Sequence, residues 1–501
     1  MIKKIQSKSS TRKWCLALSI FLASAVLAQD YVITDFGAIG DSKTLNTEAI
    51  QKAINTAHNK GGGRVVVPKG VFRSGSIVLK SNVEFHVSKN GTLLGSTNPK
   101  DYLKISRWKS LILADNEINI SISGKGIIDG QGGELALHID SLFYAGEIDS
   151  VHYNFVEMRP KYYLRPQLIE FIKCNNIKVL DITLRDAACW VQTYDRCKYL
   201  VVDKVKVVSD AYWNNDGIDI VGCQNVQVTN CDINSSDDGI CLKTEKKGPD
   251  AVCDSIYIAN CRVRSSASAV KFGTSAMGDM RNIEIRNIKV YDTYRSAIAI
   301  EAVQNGIIEN VLIEDVKAKN TGNAIFLKIG QIRSATKPGV MRNVVIRNVK
   351  VKVPFKHPDY KYEIRGPELP YFHNVYPSSI IGNPGHLIQD VVLENIIIVH
   401  PGKGNQAYAS MPLDRIEEIP EYIHKYPEFS MFRELPAWGF YIRHAEGLTM
   451  RNVTVKLKNP DYRTAFVLDD VRNSLFQSVA VKGDTKSNDF YLNNSENIQF
   501  K

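Results

Sequence analysis

Short runs of four or five residues that alternate apolar and polar side chains recur along this chain at a spacing of roughly 22–30 residues. Asn176-Ile177-Lys178-Val179, Tyr199-Leu200-Val201-Val202, Asn225-Val226-Gln227-Val228, Ser255-Ile256-Tyr257-Ile258, Asn282-Ile283-Glu284-Ile285 and Asn343-Val344-Val345-Ile346 each begin such a unit. Copies starting at Asp390, Gly447 and Asn473 carry the pattern almost to the end. Each run reads as a half-buried strand and each unit as one coil of a solenoid. The predicted fold is therefore all-β, one long single-stranded parallel β-helix over residues 29–501. Ahead of the coils, Ala49, Ile50, Ala53, Ile54 and Ala57 fall at helical spacing within Thr47–Lys60, and Gly61-Gly62-Gly63 stops the run. A short helix is expected to cap the first coil, whose apolar interior is otherwise open to water. Two Pro-, Tyr- and charge-rich stretches, 354–384 and 401–436, interrupt the repeat and are predicted as long loops or small insertions.

A third strand in each coil can be placed by aligning the recurrent small-apolar pairs Gly217-Ile218, Gly239-Ile240, Ala269-Val270, Ala297-Ile298, Ala324-Ile325, Gly439-Phe440 and Ala465-Phe466. Side chains alternate along a strand, so Ile218, Ile220, Leu242, Phe272, Ile300, Leu327, Ile442 and Leu468 should point inward. Asp219, Cys241, Lys271, Ala299, Phe326 and Tyr441 then form one outward column. Val221, Lys243, Gly273, Glu301, Lys328, Arg443 and Asp469 form the next, and Asp216, Asp238, Ser268, Ser296, Asn323 and Trp438 stand just before the strands.

That register stacks Asn214-Asn215-Asp216-Gly217-Ile218-Asp219 on Ser235-Ser236-Asp237-Asp238-Gly239-Ile240, about 4.8 Å apart. Three carboxylates, Asp216, Asp237 and Asp238, converge. Glycosidic cleavage needs one carboxyl to protonate the leaving oxygen and another to activate water or attack. Crowding carboxylates raises at least one pKa, which keeps an acid protonated near neutral pH. Asp-Gly is also ordinary turn chemistry between strands.

The chain has 501 residues, 44% of them hydrophobic, enough for a large core. Lys3, Lys4, Lys8, Arg12 and Lys13 precede the apolar run Trp14–Leu22, and small residues end at Val26-Leu27-Ala28, as in a secretory signal cleaved after Ala28. The apolar run is shorter than the ~20 residues of a membrane span. A secreted or periplasmic protein with no membrane span is expected. Losing those five cations takes the formal charge from +10 to +5, a mild bias that suits an acidic substrate. Without a dense Lys/Arg block or interleaved aromatics, no nucleic-acid partner is expected. Eight cysteines remain after Cys15 leaves with the signal. Cys174, Cys197, Cys223, Cys253, Cys231 and Cys261 occupy repeated places, which favours buried, stacked small side chains over disulfides, and no Cys/His spacing resembles a zinc site.

Asp35-Phe36-Gly37-Ala38, Gly61-Gly62-Gly63-Arg64-Val65-Val66-Val67-Pro68, Gly126-Ile127-Ile128-Asp129-Gly130, Arg165-Pro166, Trp190, Asn215-Asp216 and Asp237-Asp238 follow one another in that order. By these landmarks the chain resembles glycoside hydrolase family 28, the polygalacturonase family of pectin-degrading β-helix enzymes. The resemblance implies a right-handed parallel β-helix and hydrolysis with inversion, without metal or other cofactor. Asp237 would be the general acid, Asp216 and Asp238 would deprotonate water, and Asn215 would orient a neighbouring carboxylate or hydroxyl. The family's Gly-His-Gly and Arg-Ile-Lys segments are missing: Ser268 stands where the His is expected, and Ala299-Ile300-Glu301 where Arg-Ile-Lys is expected. Those two cations grip the uronate carboxylate in the family. Lys243, Lys271 and Lys328 are the expected substitutes, with Trp190 and Arg443 also expected at the substrate and Trp438, Tyr441 and His444 as extensions of the groove.

The sequence thus predicts a monomeric, secreted, inverting hydrolase of a pectic polysaccharide or oligosaccharide. Plain homogalacturonan is the substrate the resemblance implies by default, the missing grip favours a modified pectin such as rhamnogalacturonan or a branched side chain, and the two insertions suggest closure of one end of the groove and exo attack. A calcium-dependent β-helix pectate lyase, drawing ligands from Asp216, Asp219, Asp237 and Asp238, and a non-catalytic carbohydrate-binding β-helix are the competing classes.

Overall fold

The computed structural model describes residues 29–246, 248–359, 369, 371–408, 413–485 and 487–501; the predicted leader Met1–Ala28 lies outside them. Alternating runs do become strands, and each strand pairs in parallel with its equivalent one coil later. Asn175–Leu180, Lys198–Asp203, Gln224–Thr229 and Cys253–Ala259 form the first sheet. Thr183–Arg185, Lys206–Ser209, Asp232–Ser235 and Arg262–Ser265 form the second. Gln167–Ile172, Gln192–Asp195, Ile218–Val221, Ile240–Thr244 and Val270–Ala276 form the third. The architecture is the predicted right-handed parallel β-helix. In later coils the strands run on through the corners, as in Met280–Ala302 and Ile307–Ile329.

The residues predicted to point inward do so: Ile218, Ile220, Leu242, Phe272, Ile300, Leu327, Ile442 and Leu468 belong to one core that runs the length of the helix. The coils turn from the first to the second sheet through residues in left-handed conformation, among them Asn395 (φ 55°) and Asn452 (φ 51°). Their side-chain amides bond from coil to coil, Asn452 to Asn395 at 2.8 Å and Asn395 to Asn348 at 3.0 Å. A short polar side chain tolerates this backbone and satisfies itself locally. The eight cysteines from Cys174 to Cys261 are all free and buried, as stacked small side chains should be.

Helix α1 (Thr47–Asn59) caps the first coil with Ile50, Ala53, Ile54 and Ala57 buried. A second helix, α2 (Gly132–Tyr144), is not predicted by the sequence reading. Its Gly132-Gly133 start reads as a breaker, while Leu135, Ala136 and Ile139 carry only one buried stripe. It opens an excursion, residues 130–165, on the side of the third sheet.

The first of the two stretches read as interruptions contains a strand of the repeat. Ser378–Ile381 is a regular third-sheet strand, paired with Phe326–Lys328 and with Phe440–Arg443, so the first interruption ends before it. Residues 360–368, 370 and 409–412 of these stretches lie outside the described ones. The remainder forms a second hydrophobic cluster, in which Val375, Tyr376, Phe429, Met431, Phe432 and Leu435 pack on Phe326, Tyr441 and Val467. The outward column of the third sheet therefore changes character along the axis: polar near Asp219, covered and mostly apolar from Phe326 through Ser379 and Tyr441 to Val467. Among the described residues no helix is long and apolar enough to cross a membrane.

Candidate active site

Three stacked coils build the site. Gly217 N–H donates to Asp238 O (2.8 Å), Gly239 N–H to Ser268 O (2.8 Å), and Val191 N–H to Asp216 O (2.9 Å). Asp216 and Asp238 therefore occupy equivalent places one coil apart. Glycine follows each of them because the coils meet there: a Cβ on Gly217 would lie 2.6 Å from Gly239 O, and one on Gly239 would lie 2.7 Å from Ala269 O. The Asp-Gly segments are turns, as their composition suggests, and they also present carboxylates. A cleft of about 660 Å³ opens over them, with Asp216, Asp237 and Asp238 in its lining.

Each carboxylate has its own partners. Asp216 Oδ2 is 2.6 Å from Lys243 Nζ, which also contacts Asp219. Asp238 accepts a bond from Ser268 N–H (3.0 Å) and lies 3.5 Å from Lys271 Nζ. Asp237 is half-exposed. Among the described residues it accepts from two neutral donors, Asn214 Nδ2 at 3.3 Å and Asp238 N–H at 3.0 Å. Asn214 is in turn held by the buried Arg165, whose Nη2 donates to its Oδ1 at 2.6 Å while Nη1 bonds Ala188 O and Trp213 O.

Burial pushes the Asp216 carboxyl well above the usual range, with Lys243 opposing it, and pushes Asp219 up to about 6 against the same ammonium. The expected rise thus falls on Asp216, and burial causes it more than crowding does. Burial works against the Lys243 ammonium, but Asp216 and Asp219 outweigh it and hold it protonated. Lys271 is buried as well and is kept charged by Asp238 and Glu301. Burial raises Glu301 to about 7 against the pull of Lys271, 3.4 Å away.

The other residues singled out from the sequence are placed variously. Asn215 does not reach the cleft. Fully buried, it donates to Cys189 O (3.0 Å) and accepts from Ser209 (2.8 Å), so it holds the coil corner, and Asn214 is the residue that meets a carboxylate. Lys243 lines the cleft but is committed to Asp216 and Asp219, and Lys271 is buried behind Asp238. Lys328 is buried away from the cleft against Asn383 Oδ1 (2.9 Å), and burial pulls its pKa down to about 7. Arg443 anchors the second interruption through Glu421 (2.7 Å) and Ile419 O (2.7 Å) and pairs with Asp469 on the next coil (2.9 Å). Trp438 and Tyr441 are fully buried in the two cores, and His444 bonds Asp470 and Glu421. None of these four extends the groove. Trp190 does line it, with Lys243 Nζ 3.6 Å from its ring.

Several lining residues escaped the sequence reading. Trp108 packs edge-on to Trp190 (4.3 Å) and Tyr162 (5.1 Å), and Arg107 lies over both tryptophans while paired with Glu245. Tyr162 comes from the 130–165 excursion. From the other side the second interruption brings Tyr426, whose hydroxyl is 2.8 Å from Thr274 Oγ1, and Glu428, which pairs with Arg295 at 2.8 Å. Arg333 is exposed at the rim. Glu170 stands in the same outward column as Asp219, two coils earlier. These residues sit in irregular segments, or in coils before the alignment begins, where spacing carries no register.

Among the described residues, Asp216, Asp238 and Cys241 are the one trio whose ligand atoms lie within 4.8 Å of one another. Two carboxylates and a thiol, with an ammonium already on Asp216, do not make the oxygen-rich shell that calcium takes.

The family model described as glycosyl hydrolases family 28 matches residues 58–355. A probable polygalacturonase of Vitis vinifera is 25% identical over 351 residues, 66% of this chain and 62% of that protein. An exo-poly-alpha-D-galacturonosidase of Dickeya chrysanthemi is 28% identical over 247 residues, 42% of this chain and 41% of that one. The chain thus spans about two fifths to three fifths of the length of these two curated relatives. Among solved structures, a Yersinia enterocolitica family 28 exopolygalacturonase matches with a TM-score of 0.65 at 20% identity, covering 94% of this chain and 78% of that one. An exopolygalacturonase of Thermotoga maritima matches with a TM-score of 0.57 at 22% identity, covering 74% and 87%. At these identities the two structures speak to the fold.

Proposed function

The chain belongs to glycosyl hydrolases family 28, and from that premise we propose that it is an exported, inverting hydrolase that cleaves an acidic pectic chain from one end. Asp237 serves as the general acid, and Asp216 with Asp238 activates the attacking water. The observation that carries this reading is the partnering of the three carboxylates. Ammonium groups stand at Asp216 and Asp238, and at Asp216 the Lys243 charge opposes the rise that burial imposes, while Asp237 is reached by an amide and a backbone N–H. Environments that differ in this way separate acid from base roles. Asp237 is also the most open of the three, suited to a bulky leaving group.

Relatives named for galacturonan cleavage support a pectic substrate. Support for end attack comes from the cleft itself, with Trp108 and Tyr162 on one side and Tyr426 on the other. Glu301, in the place expected of a gripping lysine, is neutralised by Lys271 rather than aimed at substrate. The task of holding a uronate carboxylate falls to Arg333 at the rim. Calcium-dependent elimination is disfavoured by the donor set at Asp216, Asp238 and Cys241. The Met1–Ala28 leader supports export.

The test is to incubate the protein, with and without Asp237→Asn, with polygalacturonate, rhamnogalacturonan and their oligomers. Reducing ends, absorbance of unsaturated products and the anomeric form of the first product are followed. Short saturated products of inverted configuration, absent with the variant, are expected. Unsaturated products that vanish with chelator would overturn hydrolysis, and an early ladder of many lengths would overturn end attack.

A further inference from the structure

The second sheet carries an outer face that the catalytic reading does not use. In register from coil to coil, Lys289, Lys317 and Lys350 form one column. Lys319 and Lys352 begin a parallel one, which continues through Val399 to Lys456 and Lys482. All seven side chains are exposed or half-buried. Among the described residues none of the seven pairs with a carboxylate, and from the coil of Lys289 onward neither column contains an acidic residue.

The sheet beside it shows what the same coils do when charge is merely to be balanced. There Arg281, Glu309 and Arg342 stack in alternation, as do Arg286, Glu314, Arg347, Glu394 and Arg451. Arg342 pairs with Glu309 at 2.7 Å, and Arg347 with Glu314 at 2.5 Å. Like charges on directly opposed strand positions are destabilising, so the lysine columns are held against their own repulsion. A groove of about 420 Å³ runs between them, floored by the half-buried Ile397 and Val399 and walled by Lys317, Lys350, Lys352 and Lys456.

We propose that this face is a docking strip for an acidic polysaccharide, a polyuronate laid along the helix axis and distinct from the catalytic cleft on the third sheet. Cations repeat from coil to coil at about 4.8 Å, with a gap at the coil of Ile397 and Val399 that forms the apolar floor. A flexible chain with a carboxylate on each sugar meets such an array with one ion contact per few ångströms, and the apolar floor accepts the sugar faces. Occupied, the strip holds the enzyme on the polymer while the cleft works at chain ends. The choice of polyuronate rests on the proposed pectic substrate.

The experiment uses Asp237→Asn as background, so that binding is read without cleavage. Retention on immobilised polygalacturonate is compared with and without Lys317→Gln, Lys319→Gln, Lys350→Gln and Lys352→Gln together. The expected result is a loss of affinity of tenfold or more, abolition of binding to the parent by ~1 M salt, where screening reaches a few ångströms, and unchanged retention on neutral galactan. In the active protein the same four changes should leave turnover of short oligomers unaltered and slow that of polymer. Equal retention of parent and variant would overturn the strip even if hydrolysis is found. Equal affinity of the parent for duplex DNA would overturn the glycan assignment. Lysine-dependent retention without any pectin cleavage would uphold the strip while the proposed activity fails. Glutamine keeps the stem and removes the repulsion; should the quadruple variant nonetheless fail to fold, Lys456→Gln with Lys482→Gln gives the same comparison at the strip's other end.

Discussion

Lys243 Nζ stands 2.6 Å from Asp216 Oδ2 and touches Asp219 with the same ammonium, while the face of Trp190 lies 3.6 Å from it. One cation thus serves two buried carboxyls, and it does so inside the cleft rather than on a substrate. A lysine expected to grip a uronate instead offsets the burial of Asp216, one of the carboxyls proposed as catalytic.

Lys243→Met leaves Asp216 and Asp219 buried without their counter-charge. Both are already raised by burial, so both rise further, and the acidic limb of the kcat/KM profile moves to higher pH. A shift of one unit lowers activity on that limb about tenfold. Stability follows the same sign. A carboxyl raised above its unfolded value of 3.8 contributes fully below that value and loses its contribution as pH rises through the folded one. The variant should therefore lie close to the parent near pH 4 and fall behind it by roughly 3–5 kcal/mol at neutral pH. Parallel melting curves against pH would show that Lys243 does not govern these groups.

The adjacent asparagines separate function from structure. Asn214 donates to Asp237 and is fixed by Arg165, whereas Asn215 only closes a coil corner. Asn214→Ala should lower kcat about ten- to a hundredfold, as loss of a positioned acid does, with a small change in KM and in melting temperature. Asn215→Ala should cost roughly 2 kcal/mol in denaturant unfolding by leaving buried partners unmet, and kcat of the folded fraction should hold. The reverse pattern would return the orienting role to Asn215.

Much of this was legible before any coordinates. The small-apolar pairs gave the inward and outward faces of the third sheet residue by residue, because side-chain period and coil stacking leave one consistent register. The stacking of Asp216 on Asp238 follows from that register. What an outward residue touches does not. Lys243 and Lys271 turn to buried acids, and Lys328 turns to Asn383 and the Gly382 carbonyl on the next coil, because desolvation and the nearest polar partner decide where a long side chain ends. Tyr426, Arg107 and Tyr162 reach the cleft from segments without period, and Asn214 was passed over for its neighbour.

Tyr426 belongs to the segment that bounds one side of the cleft, where its hydroxyl meets Thr274, itself bonded to Glu301 at 3.0 Å. Tyr426→Ala opens that side. Early digests of polymer should then contain longer products beside the short ones, with little change in melting temperature. Sizing the products in the first few per cent of turnover checks this, and an unaltered product set would mean that the boundary of the cleft lies elsewhere.

Glu170 offers a measurement that depends on burial alone. It occupies the outward column beneath the aromatic wall, is 1% exposed, and burial pushes it up to about 7 against the Arg107 charge and the Trp108 backbone. Its ordinary value is 4.5. The folded state therefore binds its proton more tightly than the unfolded chain does. That stabilisation is complete below 4.5 and is lost as pH rises through about 7. Above that value the charged carboxylate costs the fold up to about 3 kcal/mol. Glu170→Gln keeps the shape and cannot ionise, so its stability should equal the parent's at pH 4 and exceed it at pH 8. Thermal unfolding of the pair across pH 4–8 checks the difference. A gap that stays constant across the range would mean that Glu170 is solvated or paired in solution, and that the floor of the cleft is wetter than its packing shows.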